Sequence, residues 1–118
     1  MPLRYQPSAR RDLTNVLKWS AENFGQAAAA RYKKLLGVAL SEIAANPTLE
    51  GSYEVRGLQD GIRLYHLRHS RSRAAVDGFV VKNPRHFVAY LVRDSDTVIV
   101  RVLHERMEIA RHSQGTPP

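Results

Sequence analysis

Residues 87–103 read Phe-Val-Ala-Tyr-Leu-Val-Arg-Asp-Ser-Asp-Thr-Val-Ile-Val-Arg-Val-Leu, two runs rich in branched and aromatic side chains around a polar Asp94-Ser95-Asp96 step. Such side chains suit a pleated surface, while Asp and Ser bond readily to nearby backbone in turns. Phe87–Val92 and Val98–Leu103 are therefore expected to pair as an antiparallel hairpin. The second run is nearly continuous in apolar character rather than alternating, which places it inside a sheet covered on both faces. If helices cover one face, a partner chain or the C-terminal segment must shield the other.

Upstream of this hairpin, Ile62–Leu67 reads as a third strand. At the start of the chain, Leu3–Gln6 reads as a short strand ended by Pro7, whose fixed φ and missing N–H suit a helix's first turn. Helix one follows, with Leu13, Val16, Leu17, Ser20 and Phe24 recurring at three- and four-residue spacing up to Gly25. Helix two spans about Gln26–Ala45, its apolar stripe formed by Ala28, Tyr32, Leu35, Leu36, Ala39, Leu40 and Ile43, and Asn46-Pro47 stops it. So short a link makes the two helices an antiparallel hairpin, and the Ala27–Ala30 run permits close approach.

Thr48–Asp60 lacks helical period and is read as a crossing loop. Ser70–Pro84 holds Arg71, Arg73, Asp77-Gly78 and the pair Val80-Val81, which either extends a strand or sits in a loop. Arg106–His112 is expected to form one or two helical turns, and Ser113–Pro118 to fray as a disordered tail. The sum is an α+β chain: an N-terminal strand and a two-helix antiparallel hairpin packed on a three- to four-stranded antiparallel sheet, with residues 1–112 as one domain.

The 118 residues are 43% hydrophobic and 25% charged, which fits one globular core and excludes global disorder. No apolar run approaches the roughly 20 residues of a membrane span, and Met1-Pro2-Leu3-Arg4 lacks the apolar stretch a secretory signal requires. A cytoplasmic location is expected. No cysteine is present, so disulfides and thiolate zinc sites are excluded. The five histidines include no close helical pair, and neither metal nor cofactor is expected. A net charge of +7 draws in acidic partners, either nucleic acid or an acidic protein surface.

Arg63, Arg85 and Arg101 fall on three strands expected to be adjacent, where their fork-shaped guanidinium groups would form one anion-recognising patch. The alternative is that they are structural arginines paired with Asp60, Glu54 or Glu105. His86 and His104 sit at strand positions, where a histidine is more often a hydrogen-bonded core or edge residue than a catalyst.

Local blocks narrow the function. Ala9-Arg10-Arg11-Asp12-Leu13 with Phe24-Gly25, Tyr32, Asn46-Pro47, Gly61-Ile62-Arg63, Arg85-His86-Phe87-Val88-Ala89-Tyr90 and Arg101-Val102-Leu103-His104-Glu105-Arg106-Met107 followed by Arg111-His112 together resemble ParE-type toxins of the ParE/RelE superfamily, in family order from about Leu3 to His112. The connection Ser70–Pro84 departs from the short turn usual in that family.

The resemblance implies a toxin of a type II toxin-antitoxin pair, neutralised by a cognate ParD-like antitoxin with an acidic C-terminal segment and acting on DNA gyrase without a catalytic centre. Direct nucleic-acid binding is then expected only through the antitoxin complex. Arg63, Arg85, His86, Tyr90, Arg101, His104, Arg106 and Arg111 are the candidate target contacts. Leu13, Val16, Phe24, Leu36 and Leu40 would flank the groove that receives the antitoxin. The runner-up is a ribosome-dependent mRNA endoribonuclease of the RelE type, for which Tyr90, His86, Arg101, His104, Glu105 and Arg106 offer suitable acids, bases and cations.

Overall fold

Pro7 occupies the first turn of a helix because Gln6 before it is extended (φ −69°, ψ 151°), as the residue preceding a proline prefers. In the computed structural model, which describes residues 3–56 and 61–106, this junction joins β1 (Leu3–Tyr5) to α1 (Pro7–Phe24). Gly25, at φ 91°, closes α1 by donating its N–H to the Ala21 carbonyl and leads directly into α2 (Gln26–Ala45). The remaining elements are β2 (Tyr53–Glu54), β3 (Arg63–His66), a 3-10 helix (Leu67–Arg73), β4 (His86–Arg93) and β5 (Asp96–His104).

The sheet runs β1-β5-β4-β3-β2, with β1 parallel to β5 and the other pairs antiparallel. It is a five-stranded mixed sheet where three or four antiparallel strands are expected from the sequence. The extra members are its edges: β1 pairs Leu3–Tyr5 with Thr97–Ile99, and β2 contributes two residues against Leu64 and Arg63. Segments that short carry no measurable period, so β2 is invisible in the sequence and the parallel sense of β1 depends on where the helical hairpin returns the chain.

The helical hairpin covers one sheet face. Leu35, Leu36, Ala39, Leu40 and Ile43 of α2 and Ala9 and Val16 of α1 meet Tyr65, Val88, Tyr90, Ile99 and Val102 in one core. The opposite face forms a second cluster of Val55, Ile62, Leu64, Ala89 and Leu91, with Phe87, Val98 and Val100 packed against it. Strand β5 thus feeds both faces, which explains its nearly continuous apolar character. Between Ala89 and Tyr90 the register slips, so that Ala89 faces Arg101, Tyr90 faces Ile99, and Val100 is the extra residue of a bulge.

The two-residue turn Asp94-Ser95, both at positive φ (52° and 70°), closes the β4-β5 hairpin. Ser70–Pro84 is largely built structure. The 3-10 helix takes its first half, and Val76 and Phe79 then exchange backbone hydrogen bonds of 2.8 and 2.9 Å around Asp77-Gly78. In the crossing loop Gly51 (φ 96°) lies so close to the His69 ring that a Cβ there would sit 2.8 Å from it, so only glycine fits. The expected helical turns of Arg106–His112 and the tail 113–118 lie outside the described residues, apart from Arg106.

Candidate interaction cleft

The end of the helical hairpin and the Ser70–Pro84 connection face each other across an open cleft of about 1210 Å³. Trp19, Ser20 and Phe24 of α1 and Ala28, Arg31 and Tyr32 of α2 form one wall. Phe79–Asn83 forms the other, and Arg85, His104 and Arg106 close the end. Among the described residues, five large apolar side chains are exposed, and Phe24 (65%), Phe79 (64%) and Val80 (36%) all belong to this cleft.

Beneath its closed end lies an aromatic cluster. Trp19 packs edge-on against His86 and His104 at 5.4 and 6.0 Å between ring centroids and against Phe24 at 5.5 Å. The Tyr32 hydroxyl accepts the Arg85 N–H at 3.0 Å and contacts His86 Nδ1 at 2.6 Å. Since its oxygen already serves the backbone, the hydroxyl's own proton goes to Nδ1, and a neutral His86 then carries its proton on Nε2. Burial pushes the Tyr32 hydroxyl up to about 12 and His86 down to about 4, the latter helped by the neighbouring His104 and His66. Both are neutral at physiological pH.

Glu105 ties the strand ends together. Its Oε1 takes Arg85 Nη1 at 2.8 Å and its Oε2 takes His66 Nε2 at 3.1 Å, while His66 Nδ1 accepts the Arg68 N–H. The Arg85 guanidinium, more than any other group, holds the Glu105 carboxyl below the usual carboxylate range. His104 Nδ1 in turn accepts the Arg106 N–H at 3.1 Å.

The three strand arginines do not form one patch. Arg63 donates to Ser52 Oγ at 2.9 Å, Arg85 pairs with Glu105, and Arg101 crosses to Asp12 on α1 at 2.7 Å. Of the acids anticipated as structural partners, Glu105 is used, while Asp60 lies outside the described residues. Arg101 sits beside the β5 bulge and its side chain reaches Asp12 on α1, not Arg63 or Arg85. Tyr90 is fully buried, its hydroxyl bonded to the Pro47 carbonyl. Arg85, His104 and Arg106 reach the cleft and His86 sits beneath it, whereas Arg111 lies outside the described residues.

Nor do the five apolar residues expected to flank an antitoxin groove share one surface. Val16, Leu36 and Leu40 are buried in the core under the helices and Leu13 packs against it, because the stripe that looks like a groove face is the face the sheet covers. Phe24 alone of the five lines the cleft. Sequence reading missed Trp19, Arg31 and Phe79 as site residues. Trp19 and Arg31 lie beside the apolar stripes, and an exposed Phe after Asp77-Gly78 was the one signal available for the far wall.

Among the described residues no three His, Asp or Glu side chains group as a metal site requires, and no helix is long and apolar enough to cross a membrane.

Residues 3–109 match the model of the ParE toxin of type II toxin-antitoxin systems. The chain belongs to the ParE toxin family. Toxins of this family pair with an antitoxin. Solved structures share the fold at low identity. A chain of the chromosomal ParDE system of P. aeruginosa superposes with TM-score 0.55 at 13% identity, covering 88% of this chain and 95% of its own. A copper-bound mutant toxin from Helicobacter pylori gives 0.55 at 16%, over 91% and 97%. The Staphylococcus aureus YoeB dimer gives 0.52 at 18%, over 86% and 92%. No curated protein sequence matches the chain. These likenesses carry the fold across the ParE and YoeB branches alike.

Proposed function

We propose that this family member inhibits DNA gyrase by binding, without a catalytic centre, and is neutralised by a ParD-like antitoxin. One observation carries the choice of binding over catalysis: the side chains that RNA cleavage would draw on are already engaged. An RNA-cleaving site needs an accessible base near neutrality, an acid and an unpaired cation around one phosphate. Here His86 is buried with Nδ1 occupied, Tyr90 is committed to Pro47, Arg101 to Asp12, and Glu105 to both Arg85 and His66. Only His104 and Arg106 of that set remain open to a ligand at the cleft. The choice of gyrase follows the Arg-Val-Leu-His block at 101–104, which resembles ParE rather than the ribosome-dependent nucleases.

The test uses the purified chain freed of its antitoxin in two parallel assays, gyrase supercoiling and message integrity on translating ribosomes. Loss of supercoiling with intact message is expected. Cleavage of message at a defined position, with supercoiling untouched, would overturn the reading.

A further inference from the structure

The Ser70–Pro84 connection turns an open helical end into a two-walled cleft, and it is pinned rather than slack. The Val76–Phe79 bridge closes its tip, and Arg71 Nη1 holds the Lys82 carbonyl at 2.6 Å near its other end. Yet Phe79 and Val80 stay exposed on this fixed segment, opposite the equally exposed Phe24. Scattered exposed apolar residues mean little, but three converging on one concavity mark a docking surface.

The rim is cationic. Among the described residues Arg31, Lys82, Arg85 and Arg106 line the cleft and no Asp or Glu does, and the chain as a whole carries +7. A cavity of about 1210 Å³ exceeds the roughly 300–1,000 Å³ typical of small-molecule pockets. The chemistry that matches apolar walls under a positive rim is a protein segment with apolar anchors flanked by carboxylates. Phe24 and Phe79 could each stack a nucleic-acid base, but the rest of the apolar lining, Ala28, Val80 and Val81, is aliphatic and suits protein side chains.

We propose that the Phe79–Lys82 wall selects the antitoxin: it seats an apolar anchor of the antitoxin's acidic segment between Phe79 and Phe24, while Arg31, Lys82 and Arg106 meet the flanking carboxylates. The inference rests on the proposed function only in taking the antitoxin as the occupant. Recognition by this chain then depends on the Ser70–Pro84 connection, so a segment shaped for a toxin without it leaves Phe79 and Lys82 unmatched.

Trp19 is the chain's single tryptophan and lies in the cleft, so its emission reports occupancy directly. The probe is a synthetic peptide of the acidic segment of the antitoxin co-encoded with the chain. It is titrated beside versions with Gln for its acids or Ala for its apolar residues, and beside oligouridylate. The acidic apolar peptide is expected to shift Trp19 emission saturably. Phe79→Ala and Lys82→Glu should each weaken it roughly tenfold, while Lys33→Glu, an equal charge change away from the cleft, should not.

Unfolding curves matching the parent show that the variants fold. No saturable shift, parent-like affinity of the Phe79→Ala and Lys82→Glu variants, or displacement of the peptide by oligouridylate would overturn the proposal. Because the readout needs no gyrase, a cleft that binds in a chain that spares gyrase removes only the target reading.

Discussion

Asp12 on α1 grips Arg101 on β5 with both carboxylate oxygens, Nε to Oδ2 at 2.7 Å and Nη2 to Oδ1 at 3.2 Å, and the same Oδ2 accepts the Val102 N–H at 2.9 Å. The pair sits beside the bulge and past the end of β1, whose pairing with β5 covers Thr97–Ile99, so the carboxylate gives the Val102 amide the partner that β1 does not supply. Asp12→Ala leaves both the amide and the guanidinium without a partner and should cost roughly 2–3 kcal/mol. Arg101→Ala keeps the amide satisfied and should cost about 1 kcal/mol. Urea unfolding of both variants checks the ranking, and an Arg101→Ala cost equal to that of Asp12→Ala would contradict it.

Tyr32→Phe retains the ring against Trp19 and His86 but removes the hydroxyl that serves both Arg85 N–H and His86 Nδ1. Two inward polar groups lose one partner, and a loss of roughly 1–3 kcal/mol is expected. Nitrogen NMR of the histidine rings offers a separate check. The parent His86 should show a proton on Nε2 alone, and a parent ring protonated at Nδ1 would refute the assigned direction of the bond.

Much of the fold was legible because its decisive segments are long and periodic. Gly25 and Asn46-Pro47 marked the ends of α2, the stripe from Tyr32 to Ile43 its buried face, and the branched runs around Asp94-Ser95 the hairpin. The candidate site was less legible for a physical reason: sequence shows which residues can bear charge but not which charge each meets. Arg101 and Asp12 are 89 positions apart and meet beside a one-residue bulge, which no local pattern announces. The same blindness turned Leu36 and Leu40, core residues under the sheet, into candidates for an exposed groove.

Acid should unfold the protein through its histidines before its carboxylates. His86 titrates near 4 in the folded chain against about 6.5 unfolded, and burial lowers His66 and His69 as well. Between those values the unfolded chain binds more protons, so stability is full above about pH 6.5 and falls as pH drops toward 4. His86 alone accounts for roughly 3 kcal/mol across that window. Glu42 and Glu105, held low by Arg73 and Arg85, extend the loss below the usual carboxylate range. Thermal unfolding from pH 7.5 to 4.5 should show this slope, and His86→Gln should flatten it. A midpoint independent of pH would be incompatible with a buried neutral His86.

The 3-10 helix that carries the cleft wall is fastened to α2 through one side chain. Glu42 accepts hydrogen bonds from Ser70 Oγ through Oε1 and from Arg73 Nε and Nη2, and Tyr65, fully buried, donates in turn to Ser70. Glu42→Ala removes the acceptor at the end of this relay, while Leu67 and Ala74 keep the segment packed on the core. Local rather than global loosening is therefore expected. Amide exchange should accelerate across residues 68–73 with β4 and β5 still protected, and the Phe79 wall should lose its fixed separation from Phe24. Because Arg73 is half exposed, its ion pair contributes little by itself, and Arg73→Ala should leave exchange nearly unchanged. Equal acceleration in the two variants would place the anchor in the ion pair instead of the buried Tyr65-Ser70-Glu42 relay.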